Sequence, residues 1–300
     1  NALKGGNMRD LNKFRESLLK ARLEYNGDPM PMIETRDSVF MEEFYEVSEG
    51  VSVKESEIAG IEILEIEPTY ISSDYYVIYI HGGGYVTGDT VSETSYPTEF
   101  MKLLGAKGIS VRYRLAPENP FPAALDDVIK VYRDVIKSID PAKIIFIGCS
   151  AGGGLTVTTC LKIKELSLPQ PKAIILLSAW LDLLGQLPSY KKNAAIDALL
   201  DYETISDTAY LYAKNNLDNP LLNPLSEDLS GFPDTFAQVG THEMLMDDSV
   251  FLTKRLTKYG VKNELDICQG GFHSWQLFNN HIKESQDSIV NAVEFIKNLD

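Results

Sequence analysis

Cysteine and histidine are scarce in this 300-residue sequence, which contains three of the first and four of the second. The cysteines, Cys149, Cys160 and Cys268, form no C-x-x-C pair and no cluster with histidine. An odd number of isolated cysteines is typical of a reducing compartment and offers no zinc site. We therefore expect a cytoplasmic protein without disulfides, a bound metal or another cofactor.

Long hydrophobic runs and excess positive charge are missing as well. No apolar run approaches the roughly 20 residues that a membrane-spanning helix needs. The formal net charge is −15, which opposes binding to nucleic acid and to anionic membrane surfaces. The charged N-terminus has no signal-peptide core. Because the sequence starts at Asn1 rather than Met, removal of an earlier targeting segment is left open.

The apolar pattern predicts an α/β fold. Residues 8–25 carry apolar side chains at spacings of three and four, which indicates an amphipathic helix, and residues 27–33 break it. Alternation of apolar and polar residues from 39 to 68 indicates two or three antiparallel edge strands. Six apolar runs follow, with helical patterns between most of them, and they predict a mostly parallel sheet with helices on both faces. The runs are Tyr75–Ile80, Gly108–Val111, Lys143–Ile147, Ala173–Leu177, Thr235–Val239 and Glu264–Cys268.

The stretch KIIFIGCSAGGGL (143–155) predicts a buried strand, a tight turn and a helix. In that context a G-x-S-x-G turn presents a nucleophilic serine, whereas an isolated pentapeptide often occurs by chance. Gly148 and Gly152 lie where a side chain would collide with the backbone. The start of the helix directs the free N–H of Ala151 towards developing negative charge. Ser150 is therefore the candidate nucleophile.

Three further segments follow predicted strands, and ligands bind at that edge of an open α/β sheet. Successive glycines in HGGGY (81–85) allow neighbouring N–H groups to converge as an oxyanion hole. GTHEMLMDD (240–248) supplies carboxylates, and GGFHSW (270–275) supplies His273, whose ordinary pKa near 6.5 suits a general base. The order serine, acid, histidine is that of the α/β-hydrolases. By composition alone, Glu243, Asp247 or Asp248 could be the acid.

These motifs resemble the hormone-sensitive-lipase-like esterases, the bacterial family IV branch of the α/β-hydrolases. YRLAPENPFPAALDD (113–127), LSAWLDL (177–183) and NPLSEDLSGFPDTFAQVGTHEMLMDDS (223–249) extend the resemblance, which covers residues 75–275. It implies an α/β-hydrolase fold, with a mostly parallel central sheet flanked by helices and a helical cap. Residues 36–182 and 234–300 would form the core, 1–35 an N-terminal cap region and 183–233 a cap insertion.

The resemblance also implies the roles of single residues. Ser150 would attack an ester carbonyl, and His273 would accept its proton and return it to the leaving alkoxide. Glu243, thirty residues before His273, stands where the family has its acid. Asp247 and Asp248 would instead lie at the start of the next helix, where negative charge is favourable.

The same resemblance assigns the oxyanion hole to the N–H groups of Gly83, Gly84 and Ala151. His81 would brace that loop rather than react. One departure is Cys149, which stands where the family usually has Asp. We expect its side chain to point away from the substrate, and a nucleophilic cysteine is the rival interpretation.

The predicted reaction is hydrolysis of a small-molecule ester by a serine carboxylesterase. An amidase, peptidase or deacetylase on the same scaffold is the alternative. A non-catalytic binding protein is the third hypothesis, and the presence of His273 argues against it. Tyr85 and Trp275 are expected to restrict the acyl pocket to about two to eight carbons. A homodimer is left open.

The cap segments mix apolar residues with charge, which argues against a lipase that works at an oil interface. In the insertion these charged residues are Lys191, Lys192, Asp197, Asp201 and Glu203. A histidine base further predicts that activity falls on acidification through an apparent pKa of roughly 6–7.

Overall fold

A computed structural model describes residues 8–24 and 46–299 of the chain. Its centre is a sheet of eight strands, and the two hairpin strands that precede the predicted parallel strands lie at one edge. The strands are β1 (Val51–Ile58), β2 (Ile61–Pro68), β3 (Tyr76–Ile80), β4 (Lys107–Val111), β5 (Ile144–Cys149), β6 (Ala173–Leu177), β7 (Asp234–Gly240) and β8 (Asn263–Cys268).

The strand order across the sheet is β1-β2-β4-β3-β5-β6-β7-β8. The β1–β2 and β2–β4 pairs are antiparallel, and every other pair is parallel. The carboxyl ends of β3, β5, β6, β7 and β8 therefore lie at one edge, where the segments predicted to carry chemistry emerge.

Helices cover both faces of the sheet. They are α1 (Leu11–Glu24), α2 (Ser95–Leu104), α3 (Ala123–Val135), α4 (Ala151–Glu165), α5 (Pro188–Lys192), α6 (Tyr202–Ala213), α7 (Met246–Lys258) and α8 (Lys283–Lys297). Apolar side chains of α3, α4 and α7 form one buried cluster. Those of α1, α2 and α8 form a second cluster on the opposite face.

The predicted architecture is confirmed: the sheet is mostly parallel, with helices on both faces. Each of the six apolar runs overlaps a strand, because strands buried on both faces are continuously apolar. The edge contains two antiparallel strands within the described residues. Three parts of the prediction lie outside the described residues: the break at 27–33, the first part of the alternating stretch and residue 25 of the predicted N-terminal helix.

Residues 183–233 connect β6 to β7 and contain α5, α6 and two short 3-10 helices. Helix α1 contacts this connection through Arg22, whose guanidinium donates to the carbonyl oxygens of Leu200 at 2.8 Å and Ala194 at 3.4 Å. Helix α1 and the 183–233 connection therefore contact each other.

Candidate active site

Ser150 occupies a sharp turn between β5 and α4. Its backbone has φ 52° and ψ −119°, a left-handed conformation that favours glycine. A Cβ on Gly152 would stand 2.2 Å from the carbonyl oxygen of Ile80, so only glycine fits there. The strand-to-helix turn predicted from the sequence is present, and it places Ser150 in a cavity wall.

His273 and Glu243 lie beside this serine. His273 Nε2 is 2.9 Å from Ser150 Oγ, and His273 Nδ1 is 3.3 Å from Glu243 Oε2. His273 follows β8 and Glu243 follows β7, so two neighbouring strand ends bring them together. The hydroxyl, imidazole and carboxylate form one continuous hydrogen-bonded series.

The two rival carboxylates face elsewhere. Asp247 Oδ2 accepts from Ser189 N at 2.9 Å. Asp248 is buried, and its Oδ1 accepts from the backbone N–H groups of Leu181 and Asp182 at 2.7 and 2.8 Å. Both residues lie in the first turn of α7, as expected, but both also hold the chain that leaves β6.

Glu243 has two further hydrogen-bond donors. Its Oε1 accepts from Gly240 N at 2.5 Å and from Ser178 Oγ at 2.9 Å. Burial raises the pKa of Glu243, and these two donors lower it in part. The sequence did not single out Ser178. Its position directly after the apolar run of β6, at the edge of the sheet where ligands bind, is the signal that could have indicated it.

A second carboxylate, Asp197 in the 183–233 connection, acts on His273. Burial lowers the pKa of His273, and the charge of Asp197 raises it in part. Asp197 is buried, with Oδ1 accepting from Leu199 N and Leu200 N and Oδ2 from Met244 N, all within 3.0 Å. In the sequence Asp197 counts among the charged residues of the cap insertion. The structure buries it, and these backbone donors compensate the cost of its burial.

The HGGG loop lies opposite His273. Gly83 and Gly84 have φ values of 99° and 62°, and a Cβ on Gly83 would stand 2.3 Å from the carbonyl oxygen of Thr87. The N–H groups of Gly83, Gly84 and Ala151 donate to no other described residue. Both glycines line the same cavity as Ser150 and His273. The geometry therefore leaves backbone donors beside the serine.

His81 is buried behind this loop. Its Nδ1 is 2.8 Å from the Gly82 carbonyl oxygen, and its ring stacks on Tyr113 with centroids 4.2 Å apart. The Tyr113 hydroxyl donates to the carbonyl oxygens of His81 at 2.9 Å and Gly82 at 3.2 Å. Burial lowers the pKa of His81 to about 4. A neutral ring packed under the loop fits a supporting position away from the reacting atoms.

A cavity of about 280 Å³ opens onto the serine. Its walls are mainly apolar, and α6 and the short helix after His273 contribute much of them. The lining residues are Gly83, Gly84, Thr87, Glu93, Ser150, Trp180, Leu199, Leu200, Thr204, Ile205, Thr208, Leu245, His273, Ser274, Leu277 and Phe278. A larger open groove of about 920 Å³ next to β2 contains none of the serine, histidine and carboxylate series.

Tyr85 and Trp275 are absent from that lining, so the expectation that they restrict the acyl pocket is wrong. Trp275 is 1% exposed and packs among α1, α2 and α8. Tyr85 stacks flat on Tyr212 of α6, with ring centroids 3.7 Å apart and planes within 2°. Tyr85 thus joins the HGGG loop to α6, while Leu277 and Phe278 take the place at the cavity wall that we expected Trp275 to fill.

Cys149 is buried in the apolar cluster that contains the side chains of α1, α2 and α8. Its Sγ is 3.3 Å from Ser274 Oγ, and the residue does not line the cavity. Burial holds the pKa of the Cys149 thiol well above its usual range. A buried, protonated thiol is a poor nucleophile.

Glu93 is a carboxylate of the cavity wall that the sequence did not indicate. It lies in the loop between β3 and α2 and is 4% exposed. Over residues 8–24 and 46–299, no three His, Cys, Asp or Glu side chains converge as ligands of a metal ion. Within the same ranges, no helix is long and apolar enough to cross a membrane.

Known proteins are similar to this chain in sequence and in fold. A family model described as alpha/beta hydrolase fold matches residues 77–277. A solved hormone-sensitive lipase from a metagenome library superimposes with a TM-score of 0.92 at 32% identity, over 97% of this chain and 98% of that one. The chain belongs to the hormone-sensitive-lipase-like α/β-hydrolases. Among curated members, this α/β-hydrolase is similar to an esterase of Acinetobacter venetianus, 30% identical over 96% of each chain. It is also similar to an acetyl-hydrolase of Streptomyces hygroscopicus, 30% identical over 74% of this chain and 75% of that one.

Proposed function

We propose that this carboxylic ester hydrolase is a serine carboxylesterase for small, soluble esters, with Ser150, His273 and Glu243 as its triad. The observation that carries the proposal is the continuous contact from Ser150 Oγ through the His273 ring to Glu243 Oε2, at 2.9 and 3.3 Å. An ester hydrolase needs a nucleophile, a base within hydrogen-bond reach and a group that orients the base.

In the first step, Ser150 Oγ bonds to the ester carbonyl carbon while its proton passes to His273 Nε2. The tetrahedral intermediate then collapses, the C–O bond to the alcohol breaks, and the departing alkoxide takes that proton. In the second step, His273 removes a proton from water, which attacks the acyl carbon. Ser150 leaves with that proton, and the carboxylic acid is released.

The N–H groups of Gly83, Gly84 and Ala151 would bind the oxygen that becomes negative in both intermediates. They have no acceptor among the described residues and flank the serine. Each donor of this kind contributes about 2.7–4 kcal/mol to lowering the barrier. Glu243 would keep His273 in the tautomer that exposes Nε2 to the serine and would stabilise the imidazolium.

The proposed substrates carry acyl chains of about two to eight carbons. Burial of each CH₂ contributes about 0.8 kcal/mol only while the pocket has room. The cavity is about 280 Å³, and Leu277, Phe278 and Trp180 contribute bulk to its wall. Rates on a p-nitrophenyl ester series should therefore peak at short or medium chains. A rate that climbs to C12–C16 esters, or jumps on emulsified triglyceride, would instead indicate a lipase.

Residues 1–35 and 183–233 are proposed as the cap. Leu199, Leu200, Thr204, Ile205 and Thr208 support the second assignment, because each lines the cavity. The described part of the first region contacts the second through Arg22. A reducing, cytoplasmic location is proposed from the three free cysteines.

The experiment that tests the nucleophile is Ser150→Ala, with Cys149→Ala as the matched control next to it in the elbow. Ser150→Ala should lower kcat on a p-nitrophenyl ester by roughly 10⁴–10⁶. Cys149→Ala should keep kcat within about tenfold. The assignment fails if Ser150→Ala keeps more than a tenth of the rate. An aryl amide measured in parallel separates the esterase from an amidase, since the two differ in the leaving group that His273 must protonate.

A further inference from the structure

We propose that Glu93 is a positioning residue of the active site: it anchors the HGGG loop through Gly82, and it must be uncharged for that loop to stabilise the reacting ester. This inference rests on the proposed esterase function. It concerns a carboxylate outside the Ser150, His273 and Glu243 series, and it predicts a feature of the pH profile that the triad by itself does not produce.

Two hydrogen bonds fix the Glu93 carboxylate. Its Oε1 accepts from Gly82 N at 2.9 Å, and its Oε2 is 2.5 Å from the hydroxyl of Tyr79 on β3. Gly82 directly precedes Gly83 and Gly84, the proposed oxyanion donors. A Glu93 side chain that holds Gly82 N in place therefore also fixes the direction of the following two N–H groups.

The carboxylate is also close to the nucleophile. A Cβ on Gly82 would stand 2.9 Å from Glu93 Oε1 and 3.3 Å from Ser150 Cβ. The carboxylate oxygen and the serine side chain thus both border the space that a Gly82 side chain would occupy, and no side chain separates them there. Glu93 and Ser150 also line the same cavity.

No cation balances a negative charge on Glu93 within the described ranges, where no basic side chain acts on it. The titratable groups that face it are Tyr79 on β3, Tyr113 after β4 and Cys149 on β5. The pKa of each is held well above its usual range, chiefly by burial, so all three are neutral near pH 7. Burial raises the pKa of Glu93 to about 7, although its two donors lower it in part.

The protonation state of Glu93 should therefore matter to the reaction. The intermediate places negative charge on the oxygen held by the loop, and a second negative charge beside the loop repels it. Like charges roughly 5–8 Å apart near a protein surface change a rate by about 30- to 300-fold. Asp197, by contrast, acts on the positive charge that develops on His273. Ester hydrolysis should consequently decline as the pH rises through about 7, the pKa of Glu93.

The test is a profile of kcat/KM against pH from 5 to 9.5 on a soluble p-nitrophenyl ester, read at a wavelength where phenol and phenolate absorb equally. Glu93→Gln keeps the size, can accept from Gly82 N and donate to Tyr79 Oη, and cannot ionise. At pH 6 we expect kcat/KM of Glu93→Gln to lie within about fivefold of the wild-type value. Between pH 6 and 9, the factor by which kcat/KM falls should be at least ten times smaller in Glu93→Gln than in the wild type. At pH 6, where Glu93 is uncharged, Glu93→Ala should lower kcat at least tenfold because the anchor of Gly82 is lost, and Glu93→Gln should restore most of that loss.

Asp248→Asn is the matched control, because it removes another buried carboxylate that does not line the cavity. It should leave the alkaline decline unchanged. A decline that persists in Glu93→Gln, or that disappears in Asp248→Asn, would overturn the proposal. So would a Glu93→Ala protein that is less heat-stable but has wild-type kcat, since Glu93 would then only support the fold. These outcomes are separate from the test of Ser150, which decides the proposed function itself.

Discussion

At Ser150 the backbone is held in a conformation that costs on the order of 1–3 kcal/mol for a residue with a side chain. Hydrogen bonds on both sides offset this cost. Ser150 N donates to Leu177 O at 2.8 Å, and Trp180 N donates to Ser150 O at 2.9 Å. Both partners belong to β6 or to the residues after it. The neighbouring strand and the residues after it therefore help to hold the backbone of Ser150, the proposed nucleophile.

The carboxylate that orients His273 can be assigned by a pair of variants. Glu243→Gln replaces the carboxyl group that faces His273 Nδ1 with an amide and should lower kcat by about 10³–10⁴. Asp247→Asn is its control, because Asp247 Oδ2 accepts from Ser189 N and does not contact the histidine. It should keep kcat within about tenfold. Steady-state kinetics at pH 7 gives kcat for both variants. A larger loss of kcat in Asp247→Asn than in Glu243→Gln would assign the acid to Asp247.

At the scale of elements, Asp197 ties the 183–233 connection to the chain that leaves β7. Its three backbone donors belong to Leu199, Leu200 and Met244, and the last of these directly follows Glu243. One carboxylate thus positions a cavity wall and the loop of the catalytic acid at the same time. It also supplies negative charge that favours the protonated form of His273.

Asp197→Asn should therefore change both the rate and its pH dependence. Removal of the negative charge lowers the pKa of His273 further, so the acid limb of kcat/KM should move to lower pH. The limb of the wild type should itself lie below the 6–7 expected for an exposed histidine, because burial lowers the pKa. We expect kcat at pH 7 to fall about tenfold, since the imidazolium is less stabilised. An acid limb that stays in place would show that Asp197 acts on structure alone.

The elements of the fold could be predicted because their signals are local. A strand buried on both faces is a continuous apolar run, and the G-x-S-x-G turn requires its strand and helix on either side. The contacts of Glu93, Asp197 and Tyr212 could not be predicted in the same way. Each residue acquires its role from at least one partner in a different element of the fold, and in its own segment each is typical of a loop or helix surface.

At the scale of the whole molecule, buried carboxylates make folding depend on pH. Burial raises the pKa of Glu93 to about 7 and of Asp248 to about 8, and that of Glu243 is raised as well. Between the ordinary carboxyl pKa near 4 and these values, the folded protein binds more protons than the unfolded chain. The free energy of unfolding must then fall as the pH rises.

Thermal unfolding from pH 6.5 to 8.5 should accordingly show a Tm that decreases with pH. Each group contributes up to about 1.4 kcal/mol per pH unit within its window. The net charge of −15 adds repulsion in the same direction. Below pH 6.5, His81 and His273 have the opposite effect, because burial lowers their pKa values to about 4. Asp248→Asn should flatten the slope, and a Tm that rises from pH 6.5 to 8.5 would contradict this account.

The two ends of helix α6 have different contacts. Thr204, Ile205 and Thr208 on its first two turns face the cavity, whereas Tyr212 on its last turn lies flat against Tyr85, next to the HGGG loop. Substitutions on the first turns can therefore alter which esters fit without displacing the groups that do the chemistry. A substitution at Tyr212 would alter both at once. Selection for a new substrate, in nature or in the laboratory, can therefore change residues at the start of this helix freely, whereas Tyr212 at its end is constrained.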